Sequence, residues 1–254
     1  MCKEKIIVAL DVSDANQARE IIAELRDEVG AFKIGLQLFT AAGASFAREA
    51  ASAGVKIFLD LKFHDIPNTV ANASVEAARL GVWMFNVHAL GGTEMMRCAV
   101  EKVGEICAKE NLNVPKIIAV TILTSSNDET LREVGIEADT ETQVLKLAKL
   151  SAGSGLRGIV ASPREIKMIR REIADKNFLL VTPGIRSPES KVQSLKSEIH
   201  DDQKRILSAG EAVRLGADYL VIGRPILKSD NPRAAVREIL DDIASQVETL
   251  GTEK

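Results

Sequence analysis

The chain has 254 residues, of which 46% are hydrophobic and 27% charged, with a formal net charge of -3. This length suits a single α/β barrel domain, and the near balance of charge gives no field that would recruit nucleic acid. Only 4% of the residues are aromatic, which leaves few side chains for stacking on bases.

The N-terminus and the cysteines indicate a cytoplasmic protein with no membrane partner. The apolar run in MCKEKIIVALD is too short for a signal peptide or a membrane span. The three cysteines, Cys2, Cys98 and Cys107, form no CxxC pair, and an odd count argues against a disulfide framework.

Short aliphatic, β-branched runs alternate with helical patterns along the chain. Helix-start signals lie between the runs, as in Ser162-Pro163 and Asn231-Pro232, where a capping residue precedes proline. The eight predicted strands are 6–11, 31–35, 56–62, 84–89, 116–123, 158–162, 178–184 and 219–224.

Eight strand-helix units in about 250 residues predict a (β/α)8 TIM barrel that forms one domain over residues 1–254. A doubly wound open sheet is the alternative, but LDVSDANQ after the first strand lacks the GxGxxG of a dinucleotide loop. The polar segment from Arg186 to Lys204 follows the seventh strand and is predicted to be a functional loop.

The third predicted strand carries unusual charges in FLDLKFHDIPNTV, residues 58–70. Because side chains alternate between strand faces, Phe58, Asp60 and Lys62 share one face and aliphatic residues share the other. The aliphatic face suits the helical shell, so Asp60 and Lys62 are predicted to point into the barrel at its catalytic end. A polar rim is predicted from further residues at or near strand ends, namely Asp11, Lys33, His88, Ser162, Thr182 and Arg224.

The charges around Lys62 predict an ammonium group that stays protonated. Asp60 and Asp65 flank it in sequence, and Lys33 ends the neighbouring strand, which suggests two ammoniums alternating with two carboxylates. Opposite charges about 4 Å apart attract by roughly 4 kcal/mol at an effective dielectric near 20. A Schiff-base lysine needs a depressed pKa, so Lys62 is predicted to be a proton donor instead.

No metal site is predicted. His64 and His88 are not in HxH or HExxH spacing, and His200 lies in a predicted loop. Asp60 and Asp65 could bind Mg²⁺, but the intervening lysine competes for them.

The seventh and eighth predicted strands end in VTPGIR and VIGRPI. Loops at these positions form a phosphate site in many barrels. Gly184 and Gly223 permit close backbone approach, while Arg186 and Arg224 supply forked donors suited to phosphate oxygens. Arginines that pair with surface acids are the alternative. The spacing predicts a phosphorylated small molecule whose reacting end lies near Lys62.

At these residues the sequence resembles the orotidine 5′-phosphate decarboxylase family. Asp60, Lys62 and Asp65 fill the DxKxxD pattern of the family signature, a pattern that a wider suprafamily shares. The full set of matching segments is specific and spans essentially the whole chain: ALD at 9–11, FKIG at 32–35, NVHALGG at 86–92, AVTILTS at 119–125, TPGIR at 182–186 and IGRPI at 222–226.

The resemblance implies decarboxylation of orotidine 5′-monophosphate to uridine 5′-monophosphate, without cofactor or metal, in de novo pyrimidine biosynthesis. Lys62 would protonate the C6 carbanion, Asp60 would lie against the substrate carboxylate, and Lys33 would orient the network. Asp11 would contact the ribose and Thr124 the pyrimidine. Phosphate contacts are implied for Arg186, Gly223 and Arg224.

The resemblance also implies a homodimer, in which Asp65, Ile66 and Thr69 reach into the partner subunit's site. The alternative for Asp65 is that it caps its own helix. Gln203 would close over the phosphate, with Gln193 as a rival because the preceding loop is longer here than in compact members.

Two other functions stay open. A Mg²⁺-dependent 3-keto-gulonate-phosphate decarboxylase or hexulose-phosphate synthase of the same suprafamily would share the barrel, the dimer and DxKxxD, and chelation would distinguish it. A non-catalytic barrel that binds a phosphorylated ligand would tolerate loss of Lys62, and it gives no reason for so complete a charge array.

Overall fold

A closed barrel of parallel strands forms the centre of the computed structural model, which describes residues 2–186 and 207–252. The barrel strands are β1 (Ile6–Ala9), β2 (Ala31–Gly35), β3 (Ile57–Phe63), β4 (Met84–His88), β5 (Lys116–Val120), β6 (Gly158–Val160), β7 (Leu179–Thr182) and β10 (Tyr219–Ile222). Between β7 and β10, β8 (Ile185–Arg186) pairs with β9 (Leu207–Ser208) in a separate parallel ladder.

Helices follow the strands on the outside. They are α1 (Ala15–Leu25), α2 (Leu36–Ser52), α3 (Pro67–Arg79), α4 (Gly92–Glu110), α5 (Asp128–Glu133), α6 (Thr140–Gly153), α7 (Ile166–Glu172), α8 (Ala209–Leu215), α9 (Arg224–Leu227) and α10 (Pro232–Thr252). Short 3-10 turns span Cys2–Lys5, Ala89–Gly91 and Pro163–Glu165. Among the described helices, none is long and apolar enough to cross a membrane.

The predicted (β/α)8 barrel is confirmed, and the open doubly wound sheet is wrong. Strand β1 pairs with β10 on one side and with β2 on the other, which closes the ring. Seven of the eight predicted strands contain the observed strand, which in several cases is shorter, and β3 ends one residue beyond its predicted range, at Phe63. The extent of the domain, residues 1–254, stays a prediction.

The predicted helix starts are observed. Helix α10 begins at Pro232, and the Asn231 Oδ1 accepts a hydrogen bond from the Ala234 amide at 3.0 Å. At the other predicted start, the Ser162 amide donates to Glu165 Oε2 at 2.8 Å, and the 3-10 turn leads into α7. Caps of this type satisfy backbone groups that the first helical turn leaves unpaired.

The strand faces divide the core into two parts. A small cluster inside the barrel includes Phe58, Met84 and Val221, whereas Ile57 and Leu59 belong to the larger cluster between strands and helices. The alternation predicted for β3 is therefore confirmed over this part of the strand. Because Asp60 follows on the inward face, the sheet itself carries a carboxylate into the barrel.

The N-terminal end of the barrel is closed by the only tryptophan and the only tyrosine of the chain. Trp83 precedes β4 and Tyr219 begins β10, and their ring centroids lie 5.1 Å apart in an edge-to-face arrangement. The Nζ of Lys116 lies 5.0 Å from the centroid of the Trp83 ring. Both aromatic rings pack against the inner cluster, so this end of the barrel is filled.

Candidate active site

A cavity of about 540 Å³ opens at the C-terminal ends of the strands. Its lining includes residues that the sequence predicted for the site, among them Asp11, Lys33, Asp60, Lys62, Thr124, Gly223 and Arg224. These residues lie on or just after five different strands, as is usual for active sites of barrel enzymes. The predicted position of the site is the position of this cavity.

Four charged side chains form a continuous array on one wall of the cavity. The Nζ of Lys62 lies 2.8 Å from Asp60 Oδ1, and the Nζ of Lys33 lies 3.3 Å from Asp60 Oδ2. On its other side, the same Lys33 ammonium lies 3.3 Å from Asp11 Oδ1. Carboxylates and ammoniums therefore alternate in the order Asp11, Lys33, Asp60, Lys62.

The array differs from the predicted one in its second carboxylate. Within the chain, Asp11 takes the place that the sequence assigned to Asp65. Asp65 is exposed and does not line the cavity, and its Oδ1 accepts a hydrogen bond from the Ile66 amide at 2.7 Å. The chain turns outward after β3, which carries Asp65 away from the Lys62 of the same chain.

The alternative role for Asp65, as a cap of its own helix, is also wrong. Helix α3 has Ile66 at its N-cap, and no side chain makes a capping hydrogen bond there. Ile66 and Thr69 are exposed beside Asp65. The three residues thus form one exposed segment at the rim, where the structure leaves them accessible to another molecule.

Asp60 is ionised despite its burial. Its side chain is only 14% exposed, and this burial acts to raise its pKa. The charges of Lys33 and Lys62, with hydrogen bonds from Lys62 and Asn86, outweigh the burial and hold the pKa of Asp60 below its ordinary value. The site therefore maintains a buried negative charge between two ammonium groups.

Lys62 has an unusual backbone conformation. Its φ is 53°, in the left-handed region that residues with a Cβ rarely adopt, and the register with β4 shifts between Leu59 and Phe63. The Lys62 amide donates a hydrogen bond to Asn86 Oδ1 at 2.8 Å. Backbone strain of this kind is concentrated at functional sites.

Asn86 is a site residue that the sequence analysis did not identify. It lies on β4 with no exposed surface, and its Nδ2 donates to Asp60 Oδ1 at 2.7 Å. The signal was an amide inside the apolar strand MFNVH, two residues from the inward-facing Met84. A buried amide needs partners, so its position in such a strand indicates a polar network.

The predicted phosphate end is described in part. Gly223 lies between β10 and α9, and a Cβ on it would be 3.0 Å from Asp11 Oδ2. Arg224 begins α9 and lines the cavity, as does Gly184. The backbone of Arg186 pairs with Ser208.

The two glutamines assigned to the phosphate, Gln203 and its rival Gln193, lie outside the described residues, as does most of the predicted functional loop.

Three further residues predicted for the rim, His88, Ser162 and Thr182, do not line the cavity. Thr182 is fully buried and does not line the cavity, because it shares its strand face with Leu180, which packs toward the helices. His88 ends β4, and its ring centroid lies 5.6 Å from that of His64. Burial lowers the pKa of His88, and the charges of His64 and Lys62 lower it further, against the opposing effect of Asp60.

The fold and the cavity together define a (β/α)8-barrel enzyme whose cavity holds a lysine ammonium beside a buried carboxylate. Comparison with known proteins then identifies the family. The chain belongs to the orotidine 5′-phosphate decarboxylase / HUMPS family, whose model matches residues 4–239.

Named relatives match over nearly their whole length. The orotidine 5′-phosphate decarboxylase of Geobacter sulfurreducens is 51% identical over 242 residues, which cover 95% of this chain and 96% of the relative. That of Syntrophotalea carbinolica is 48% identical over 246 residues, or 97% of each chain. The crystal structure of orotidine 5′-phosphate decarboxylase from Lactobacillus acidophilus superposes with a TM-score of 0.79 at 37% identity, covering 94% of this chain and 98% of that one.

Proposed function

We propose that this protein is a carboxy-lyase that converts orotidine 5′-monophosphate into uridine 5′-monophosphate and CO2 in pyrimidine biosynthesis. The observation that carries the proposal is the Asp11-Lys33-Asp60-Lys62 array, which lines the cavity of a chain about half identical to named orotidine 5′-phosphate decarboxylases.

The array suits the chemistry of this reaction. Loss of CO2 from the pyrimidine C6 leaves a carbanion with little delocalisation. A fixed ammonium near that carbon stabilises the negative charge as it develops, and because the dipoles and charges are already oriented, little reorganisation is needed. In our proposal Lys62 is this ammonium and then donates its proton to C6.

Asp60 and Lys33 hold the proton donor in place. Asp60 accepts a hydrogen bond from Lys62 at 2.8 Å, which fixes the position of the ammonium group. We place the carboxylate of the substrate beside Asp60, where repulsion between the two negative charges is relieved when CO2 leaves. Lys33 bridges Asp60 and Asp11, so it fixes the orientation of both carboxylates.

The remaining contacts are assigned to the nucleotide. Asp11 is assigned to the ribose and Thr124 to the pyrimidine, and both line the cavity. The phosphate is assigned to Gly223, Arg224 and Arg186. Gln203, or Gln193 as its rival, would close over it. Binding energy from this distant phosphate can organise the charged end of the site.

A homodimer with shared active sites forms part of the proposal. Four large apolar side chains are exposed just after four neighbouring strands of the barrel: Leu36 after β2, Ile66 after β3, Leu90 after β4 and Leu123 after β5. An apolar arc of this kind favours contact with a second subunit. Such contact would carry Asp65, with Ile66 and Thr69, into the partner's cavity.

The proposed reaction needs neither cofactor nor metal, and the cytosol is the proposed compartment. The test is to add orotidine 5′-monophosphate in the presence of EDTA and follow the fall of its ultraviolet absorbance. Turnover that EDTA leaves unchanged is the expected result. No turnover of this substrate, together with Mg²⁺-dependent turnover of 3-keto-gulonate 6-phosphate or hexulose phosphate, would replace the proposal with the other branch of the family.

A further inference from the structure

We infer that Asn86 is a positioning residue, which holds Lys62 in its left-handed backbone conformation and fixes Asp60 beside it. This inference deepens the proposed function and rests on it for its catalytic consequence. Its structural part concerns only the contacts among these three residues and can be tested without any substrate.

The first contact explains how an unfavourable conformation of Lys62 is maintained. A Cβ makes positive φ costly, and glycine is the residue that ordinarily adopts it. Lys62 has a φ of 53°, and its amide points to Asn86 Oδ1 at 2.8 Å. Because Asn86 has no exposed surface, water does not compete for this acceptor. The strained conformation is therefore fixed from the neighbouring strand.

The second contact fixes the carboxylate that Lys62 faces. The Asn86 Nδ2 donates to Asp60 Oδ1 at 2.7 Å, and the same oxygen accepts from Lys62 Nζ at 2.8 Å. The side-chain amide of Asn86 thus makes two hydrogen bonds. Its oxygen accepts from the backbone of Lys62, and its nitrogen donates to the carboxylate of Asp60. Both groups are locked relative to β4 and to each other.

Lys62 needs this support because β3 alone would not place it there. In a regular strand the backbone N–H of Lys62 would donate to a backbone carbonyl of the neighbouring strand. Here the register of β3 and β4 shifts between Leu59 and Phe63, which interrupts the ladder of backbone hydrogen bonds. The Oδ1 of Asn86 accepts the hydrogen bond of the Lys62 backbone N–H, which the interrupted ladder leaves without a backbone partner. Removal of the Asn86 side-chain amide should let Lys62 relax toward negative φ, and this change would move the Lys62 ammonium.

The structural test compares glycine and alanine at position 62. Lys62→Gly and Lys62→Ala both lose the ammonium and its ion pair, but only alanine keeps the Cβ that disfavours positive φ. With Asn86 present, Lys62→Gly should melt about 2–4 °C above Lys62→Ala. With Asn86→Ala added to each, position 62 can relax, and the difference should fall below about 1 °C. Asn86→Ser, whose hydroxyl is too short for both contacts, serves as a second variant if Asn86→Ala does not fold.

The catalytic test uses Asn86→Ala and Asn86→Ser with the lysine intact. A displaced ammonium should lower kcat by about 100-fold, while the affinity for uridine 5′-monophosphate should change by less than about threefold. Gln143→Ala, which removes a buried amide from α6, is the matched control and should keep the wild-type kcat.

The outcomes distinguish a failure of the Asn86 inference from a failure of the proposed function. If the difference in melting temperature between Lys62→Gly and Lys62→Ala is unchanged after loss of Asn86, the inference is overturned, whatever the enzyme's activity. A kcat within about threefold of wild type, or a loss of nucleotide affinity as large as the loss of kcat, would also overturn it. If the wild type does not turn over orotidine 5′-monophosphate, the proposed function fails, and the melting temperatures still decide whether Asn86 holds Lys62.

Discussion

The backbone of Gly35 stands directly against the ammonium of Lys33: a Cβ built on this glycine would lie 2.8 Å from Nζ. The φ at Gly35 is -94°, so the requirement for glycine here is one of space and not of backbone conformation. Any side chain at position 35 would push Lys33 away from Asp11 and Asp60. The glycine of FKIG therefore belongs to the site, although it carries no functional group.

Gly35→Ala should lower kcat by about 10- to 100-fold, because it displaces the ammonium that links the two carboxylates. Steady-state assays with orotidine 5′-monophosphate measure the effect. Gly104→Ala is the control, since a Cβ at that position of α4 meets nothing within 4 Å and should leave kcat unchanged. Equal activity of the two variants would show that Lys33 can move without consequence.

Lys62→Ala should abolish turnover but leave binding of uridine 5′-monophosphate measurable, since it removes the proton donor and keeps the phosphate contacts. Assays with Lys102→Ala, an exposed lysine on α4, provide the control. A kcat for Lys62→Ala within about tenfold of wild type, equivalent to roughly 1.4 kcal/mol of barrier, would rule out the proposed role.

Arg224→Ala should weaken binding of the phosphorylated substrate by about 10- to 100-fold, the cost of losing a hydrogen bond to a charged group. Orotidine, which has no phosphate, should be affected much less. The comparison requires kcat/KM for both substrates with both proteins. Equal losses on the two substrates would contradict an assignment of Arg224 to the phosphate.

His88 should make the protein less stable as the pH falls. Burial lowers the pKa of His88 in the folded protein, with contributions from His64 and Lys62, so the unfolded chain binds the proton first. The free energy of unfolding should therefore decrease as the pH falls below about 6.5, the ordinary value for histidine, toward the lower folded value. Urea unfolding at several pH values between about 7 and 5 should show a shallower decrease for His88→Gln. Parallel curves for the two proteins would mean that His88 does not cause the loss.

A mixing experiment tests whether Asp65 acts in the partner subunit. Asp65→Ala and Lys62→Ala homodimers should each be nearly inactive. After subunit exchange, each heterodimer has one site that lacks both groups and one intact site, so the activity per heterodimer should return toward half that of the wild-type dimer. Each homodimer taken alone through the exchange procedure is the control. Verified exchange without recovery would place the function of Asp65 in its own chain.

The parts of the site that could be predicted are those that depend on periodicity. Alternation along β3 assigns Asp60 to the inward face, and the position of Lys62 near the strand end assigns it to the catalytic end of a barrel. Both arguments use only neighbouring residues, so a sequence is enough for them.

The parts that could not be predicted depend on contacts between strands. The pairing of Asp11 with Lys33, and of Asn86 with both Asp60 and the Lys62 amide, requires the register of neighbouring strands. The left-handed backbone at Lys62 has no signal in its residue type, since lysine ordinarily avoids that region. The array predicted around Lys62 also included Asp65, which does not line the cavity of its own chain, because the direction of the chain after β3 is decided by three-dimensional contacts.

The aromatic pair that fills the N-terminal end of the barrel has a practical consequence for spectroscopy. Trp83 is the only indole in the chain, and it lies at the end of the strands opposite the cavity. Its fluorescence emission should therefore follow the unfolding of the barrel and stay nearly constant when a nucleotide binds. The chain thus contains a single indole fluorophore that reports on folding separately from ligand occupancy, without a label.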